Sequence, residues 1–322
     1  MISPFRTLVA STLVLAGPAG AALYQQDFTI DDTANWAVRA GPSTVDVAAN
    51  FFFDYSTVGI PSAPNGSGTR GMKLQANLSS GVLGAINVTP TSVVLPSNYT
   101  LTFDWWANTI GATTSPGFPV GGSSSANLST FGVGTAASTT SAAFPGSAQD
   151  SVWFAANGDG GTTSADFRAY SSAATASYGD GNAVYLGATT RSNLNSFYSS
   201  FGGVTPPAAQ TALFPNQTGT VVAGAMAFAW HQVIIDFTAS VIDWTVDGKK
   251  LASVDRSTVT LGGTNIFFGH SDINGTSSAD ANDAALLFTL IDNIKVEAIP
   301  EPGAMGLTAL AALGLLSRRR RA

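Results

Sequence analysis

The stretch from Trp230 to Asp255 constrains this chain more than any other. His231, Val233, Ile235 and Phe237 occupy alternate positions of one run, and after Thr238-Ala239-Ser240 a second run sets Ile242, Trp244 and Val246 in the same alternation. Asp247-Gly248 then leads into Lys249 to Val254. An Asp-Gly pair between alternating runs is among the strongest hairpin signals, because both residues accept the positive φ that a tight two-residue turn demands. The spacing predicts consecutive antiparallel strands here, and a fold with enough further sheet to pair with them. Tyr99 to Trp106 alternates in the same way, with Tyr99, Leu101, Phe103 and Trp105 on one face and Thr100, Thr102, Asp104 and Trp106 on the other. A last strand is expected over Ala284 to Val296, carrying Leu286, Phe288, Leu290, Ile294 and Val296.

Between these runs helix-forming residues are scarce, Gly, Ser, Thr, Ala and Val abound, and turn-forming pairs recur. Short alternating segments separated by such turns predict an all-β fold, an antiparallel β-sandwich. Gly111 to Gly146 and Ser171 to Gly219 hold few large apolar residues and are expected to be long Gly/Ser/Thr-rich loops. No repeat recurs at a fixed period.

Neither end reads as part of this body. Met1 to Arg6 carries the early charge, Thr7 to Gly17 is apolar, and Gly17-Pro18 stops a helix just before Ala19-Gly20-Ala21. Residues 1–21 are therefore expected to be a secretory signal peptide, with Ala19 and Ala21 as the small residues that guide cleavage. At the other end Gly303 to Ser317 is apolar and abuts Arg318, Arg319, Arg320 and Arg321. A basic cluster of this kind stays on the cytoplasmic side while the apolar run enters the bilayer as a hydrophobic helix. The run falls short of the roughly 17 to 25 residues usual for a spanning helix, and arginines reaching back to the interface extend it. The expected organisation is a signal peptide at 1–21, a β-sandwich domain at 22–298 and a membrane-anchor tail at 299–322.

The domain holds nine basic and nineteen acidic side chains, a net charge of −10. Such a body repels phosphate and has no basic stripe, which excludes nucleic acid as a partner. There is no cysteine, so disulfides, thiolate metal sites and a thiol nucleophile are all ruled out. Stability must come from packing, with a bound metal as a candidate aid. Asn157-Gly158-Asp159-Gly160-Gly161 and Asp280-Ala281-Asn282-Asp283 are oxygen-rich, and Asp27 and Asp292 would lie on adjacent strands if the two ends of the domain pair. Asp27, Asp292, Asp159 and Asp283 are thus the candidate ligands of a structural calcium ion. Turn formation is the competing reading of the same residues.

Glycoside hydrolysis needs two carboxyls across the scissile bond. The domain has a single glutamate, Glu297 at the end of the last predicted strand, which leaves only an Asp-based site open to a hydrolase. His231 and His270 have no metal-ligand spacing, and no nucleophile elbow or phosphate loop occurs. His231 is expected to be a packed or strand-surface histidine rather than a catalytic base. A binding role for sugars would use aromatic faces, the candidates being Trp36, Trp105, Trp106, Trp153 and Tyr170; core packing is the alternative for each.

Two resemblances add to this. Ile299-Pro300-Glu301-Pro302-Gly303, followed by the apolar run and Arg318 to Arg321, resembles the PEP-CTERM sorting signal. That resemblance implies recognition by an exosortase through Pro300, Glu301 and Pro302, transient anchoring in the inner membrane, and delivery to the cell surface or extracellular matrix of an exopolysaccharide producer. Its prolines keep the motif out of helix and sheet and so extended outside the bilayer. The Trp230 to Asp255 hairpin, with Asn265-Ile266-Phe267-Phe268-Gly269 and Ile291-Asp292-Asn293-Ile294-Lys295-Val296, is similar to concanavalin A-like and laminin G-like jelly rolls, in which the first and last strands pair. Here the first strand would be Leu23 to Phe28. Jelly rolls of this type include glycosidases, but with Glu297 the only glutamate of the domain the expectation is a non-catalytic surface or matrix protein with exopolysaccharide or another glycan as its candidate partner, a polysaccharide hydrolase with an Asp-based site being the alternative.

Overall fold

Asp247 and Gly248 both take positive φ, 47° and 75°, the pairing of conformations that a two-residue turn between right-twisted strands requires. The computed structural model describes residues 22–76, 78–79, 81–110, 127–137, 150–159, 165–172, 176–187, 189–215, 217, 219–273 and 283–299, the side chains of 283 and 284 excepted. In chain order the strands are β1 (Ala22–Gln26), β2 (Trp36–Pro42), β3 (Ala48–Asp54), β4 (Arg70–Gln75), β5 (Gly84–Pro90), β6 (Tyr99–Asn108) and β7 (Asn127–Thr135). They continue with β8 (Val152–Asn157), β9 (Phe167–Tyr170), β10 (Trp230–Phe237), β11 (Val241–Val246), β12 (Lys249–Asp255), β13 (Asn265–Asp272) and β14 (Phe288–Ala298).

These strands form two antiparallel sheets. One runs β12-β11-β10-β6-β14-β4-β3, with β1 added on β14; the other runs β2-β5-β13-β7-β8-β9. Inward-facing residues of both interleave in one core. Phe103 meets Phe131 at 5.2 Å and Phe268 at 5.0 Å across the layers, and Trp244 stacks on Phe154 at 5.0 Å. The two faces of β6 fall as its alternation predicts: Tyr99, Leu101, Phe103 and Trp105 enter this core. The result is an antiparallel β-sandwich of the jelly-roll kind, with its first and last strands paired.

Four details depart from the sequence reading. Asn127 to Thr135, expected to be loop, is the buried strand β7 in the middle of the six-stranded sheet. Its small residues concealed it: a side chain at Gly132 would collide with Phe267 and Trp153, so the position that breaks the apolar alternation is the one that must stay empty. The expected last strand begins late, because 283–286 is a short helix, α2 (Asp283–Leu286), and β14 starts at Phe288. A second helix, α1 (Ala208–Leu213), interrupts the otherwise irregular 171–219 stretch. Finally, the outer face of the larger sheet is not left to solvent throughout. Trp106, Phe288 and Leu290 on it pack against Tyr55, Ile60, Val221, Ala225 and Phe228, a second apolar layer outside the sandwich core. No helix among the described residues is long and apolar enough to cross a membrane.

Candidate functional site

β1 runs antiparallel to β14, with Ala22 opposite Glu297 and Gln26 opposite Ile294. This pairing brings Asp27, just past β1, to the side of Asp292 on β14, as the expected meeting of the ends requires. The strand register adds a residue the sequence did not mark: Asp104 on β6 stands directly opposite Asp292. Beyond Asp292 the register shifts before Lys295, and Asn293 in that bulge takes φ 50°, a conformation Asn tolerates better than most residues. The chain at 65–68 closes over this point so tightly that any side chain at Gly66 would strike the Asn293 amide. Between the end of β1, this segment and the bulge lies an open groove of about 490 Å³, whose walls include Gln25, Asp27, Thr29, Asn65, Ser67 and Lys295.

Beneath the groove the two carboxyls are differently dressed. Asp104 accepts the Asn65 backbone N–H at 3.2 Å, the Asn65 side-chain amide at 2.6 Å and the Asn293 side-chain amide at 2.7 Å. Asp292 accepts the Asn293 N–H at 2.7 Å on one oxygen, and its other oxygen lies 3.0 Å from the Tyr55 hydroxyl. Burial pushes the Asp292 carboxyl up to about 7, and the neighbouring charges of Asp104 and Asp27 push the same way. All four oxygens of the pair are therefore engaged by protein groups. Among the described residues no three His, Cys, Asp or Glu side chains gather around a metal-sized space.

The remaining expectations fall elsewhere. Asp159 is buried at the end of β8, in the other sheet, where its N–H donates to the Asn157 side chain in a local turn. Asp283 begins α2, its side chain outside the described residues. Ala19, Ala21, Pro300, Glu301, Pro302 and Arg318 to Arg321 also lie outside them. Trp36, Trp105, Trp106, Trp153 and Tyr170 are all buried, none more than 6% exposed. Trp153 and Tyr170 spend one face each on the other, stacked at 3.6 Å. None of the five thus presents a ring to a sugar in solution. His231 is packed as expected, with Nδ1 at 2.7 Å from Asp247 and Nε2 at 3.0 Å from the Met226 carbonyl.

No protein-family model matches the chain, and no curated protein does. Solved structures with a related strand arrangement include a Bacillus subtilis protein of unknown function with a galectin-like fold, 9% identical, TM-score 0.46, covering 87% of this chain and 97% of that one. The Crh5 transglycosylase in complex with NAG is 13% identical, TM-score 0.40, with 88% of each chain covered. The potassium-bound Emp46p carbohydrate recognition domain is 9% identical, TM-score 0.41, covering 87% and 100%. Nothing about ligand or catalysis follows from likenesses this distant.

Proposed function

We propose that this chain is an exported, non-catalytic glycan-binding protein of the cell surface or extracellular matrix, and that the groove at the paired ends of the domain is where the glycan lies. The observation that carries the reading is the chemistry of the walls. Side-chain amides of Gln25 and Asn65, hydroxyls of Thr29 and Ser67, the Asp27 carboxylate and the Lys295 ammonium surround an open space, a set able to donate to and accept from the hydroxyls of a sugar. A hydrolytic role would need carboxyls that reach the glycosidic oxygen, whereas Asp104 and Asp292 are 0% and 2% exposed and bonded on every oxygen. Export and exosortase sorting rest on the residues at 1–21 and 299–322. Calorimetric titration with the native exopolysaccharide tests the groove. Asp27→Ala combined with Ser67→Ala is expected to weaken binding about 10-fold or more, the loss of one or two hydrogen bonds, in a variant that still unfolds cooperatively. Absence of binding by the unmodified protein sinks the reading, and release of reducing ends would favour the Asp-based hydrolase instead.

A further inference from the structure

A second cavity lies where the edges of the two sheets are bridged. The Tyr185 hydroxyl accepts the Ala169 N–H of β9 at 3.0 Å and donates to the Tyr178 carbonyl at 2.9 Å. The same stretch pairs with the outer edge of β12: Leu186 N–H donates to the Leu251 carbonyl at 3.0 Å, and Ser253 N–H to the Val184 carbonyl at 2.9 Å. Residues 178–186 are thereby tied to β9 of the smaller sheet and to β12 of the larger. Between them, β12 and the 3-10 turn at Arg256–Thr258 an open space of about 480 Å³ remains. It shares no lining residue with the groove. Four strand spacings, about 19 Å, separate β12 from β14.

The walls of this cavity combine an aromatic ring with unengaged polar groups. Tyr178 and Val184 pack against the main core, yet Tyr178 is only half-buried, unlike the five aromatic residues weighed above. The ring is thus backed by the sandwich where it borders the cavity. Asn182 accepts the Val184 N–H at 2.9 Å on its side-chain oxygen, and its amide hydrogens have no partner among the described residues. One oxygen of Asp255 accepts the Ser257 hydroxyl at 2.7 Å and its N–H at 2.9 Å, bonds that hold the carboxyl well below the ordinary carboxylate range. The other oxygen, like the Ser253 hydroxyl, has no partner among the described residues. Amide donors, an ionised acceptor and a ring plane beside them suit the hydroxyls and the C–H face of a pyranose. No lysine or arginine is among the described residues that line the cavity, and Arg256, next to Asp255, is turned over the Phe237 ring at 5.2 Å. An acidic sugar therefore meets the Asp255 charge without compensation.

We propose that this cavity is a second sugar site, taking a neutral pyranose against Tyr178, and that through it and the groove the chain bridges two glycan strands. The bridging rests on the reading of the groove given above; the second site does not. Signals of the Tyr178 ring and the Asn182 side-chain amide are followed by NMR in the full chain. Neutral oligosaccharides of glucose, galactose and mannose are titrated in, with oligogalacturonate as the acidic counterpart. At least one neutral sugar is expected to move both signals on a single binding curve, and oligogalacturonate to move neither. Tyr178→Ala is expected to weaken that curve about 10-fold or more, read at Asn182, while Asp27→Ala combined with Ser67→Ala leaves it unchanged. Asp255→Asn keeps an acceptor for Ser257 and is expected to admit oligogalacturonate, a change of preference that loss of structure would not produce. With intact exopolysaccharide, the unmodified chain is expected to form cross-linked aggregates and either single-site variant soluble complexes.

Signals that stay still with every neutral sugar overturn the second site, even where the groove binds. A Tyr178 curve without any groove response keeps the second site and sinks the groove reading. Both sites binding without aggregation overturns the bridging alone. Should Tyr178→Ala not fold, the unmodified chain and Asp255→Asn decide: equal response to neutral and acidic sugars in both overturns the site as drawn.

Discussion

At His270 a polar group is held inside the sandwich without charge. Its Nδ1 lies 2.8 Å from the Thr289 hydroxyl and its Nε2 2.9 Å from the Asn127 side-chain oxygen, while the Ser129 hydroxyl stands 2.7 Å from Thr289. The bonds form one consistent chain: Ser129 donates to Thr289, Thr289 to Nδ1, and Nε2 to Asn127. Because Ser129 and His270 belong to one sheet and Thr289 to the other, the chain fastens the layers where apolar packing is interrupted. Burial pushes the imidazole down to about 3, so it remains neutral throughout the physiological range. Thr289→Val keeps the shape but strands His270 Nδ1 and the Ser129 hydroxyl. It is expected to cost on the order of 1–3 kcal/mol, read as a lowered denaturant midpoint with unchanged slope. A cost near zero would mean that the hydroxyls find other partners.

Among the elements, the β11–β12 turn isolates a backbone effect. A Cβ added at Gly248 would meet nothing within 4 Å, yet its φ is 75°, so substitution there is penalised by conformation alone. Gly248→Ala is expected to destabilise by about 1–2 kcal/mol, and chemically introduced D-alanine to be neutral or slightly stabilising; equal losses with both would place the cost elsewhere. This turn was also the most legible part of the sequence, since Asp-Gly and the flanking period of two describe a local structure that needs nothing distant to form. The pairing of first and last strands was legible through the resemblance. What stayed hidden depends on long-range register. Asp104 reads as one more polar residue on the outer face of β6, and only the β6–β14 alignment turns it into the partner of Asp292. β7 was hidden because its neighbours demand glycine at 132, and Trp106 became a buried residue only because 221–228 lies over it. Aromatic residues likewise cannot announce from local pattern whether a ring ends in the core or in solvent.

For the molecule as a whole, protonation couples these sites to stability with opposing signs. Asp292 and Asp166 are raised by burial to about 7 and about 6, above the unfolded aspartate value near ~3.9. Within those windows the folded chain binds more protons, and stability falls as pH rises. His270 is depressed to about 3, below an unfolded value near ~6.5; there the unfolded chain binds the extra proton, and stability falls as pH drops. Between about pH 4 and 6 two groups act against one, and above about 6.5 only Asp292 remains, so the balance favours acid by at most ~1.4 kcal/mol per pH unit. The domain's net charge of −10 pulls in the same direction, since lower pH relieves self-repulsion. Turn aspartates such as Asp54 and Asp255, lowered first by hydrogen bonds from Ser56 and Ser257, lose those bonds only in stronger acid. Stability is therefore expected to peak near pH ~4 and to decline toward pH ~8 by on the order of 5 °C in melting temperature, whereas Asp292→Asn flattens the decline. A wild-type maximum at neutral pH would show that the buried aspartates are ionised in the fold, and that the layers tolerate two facing carboxylates without a proton between them.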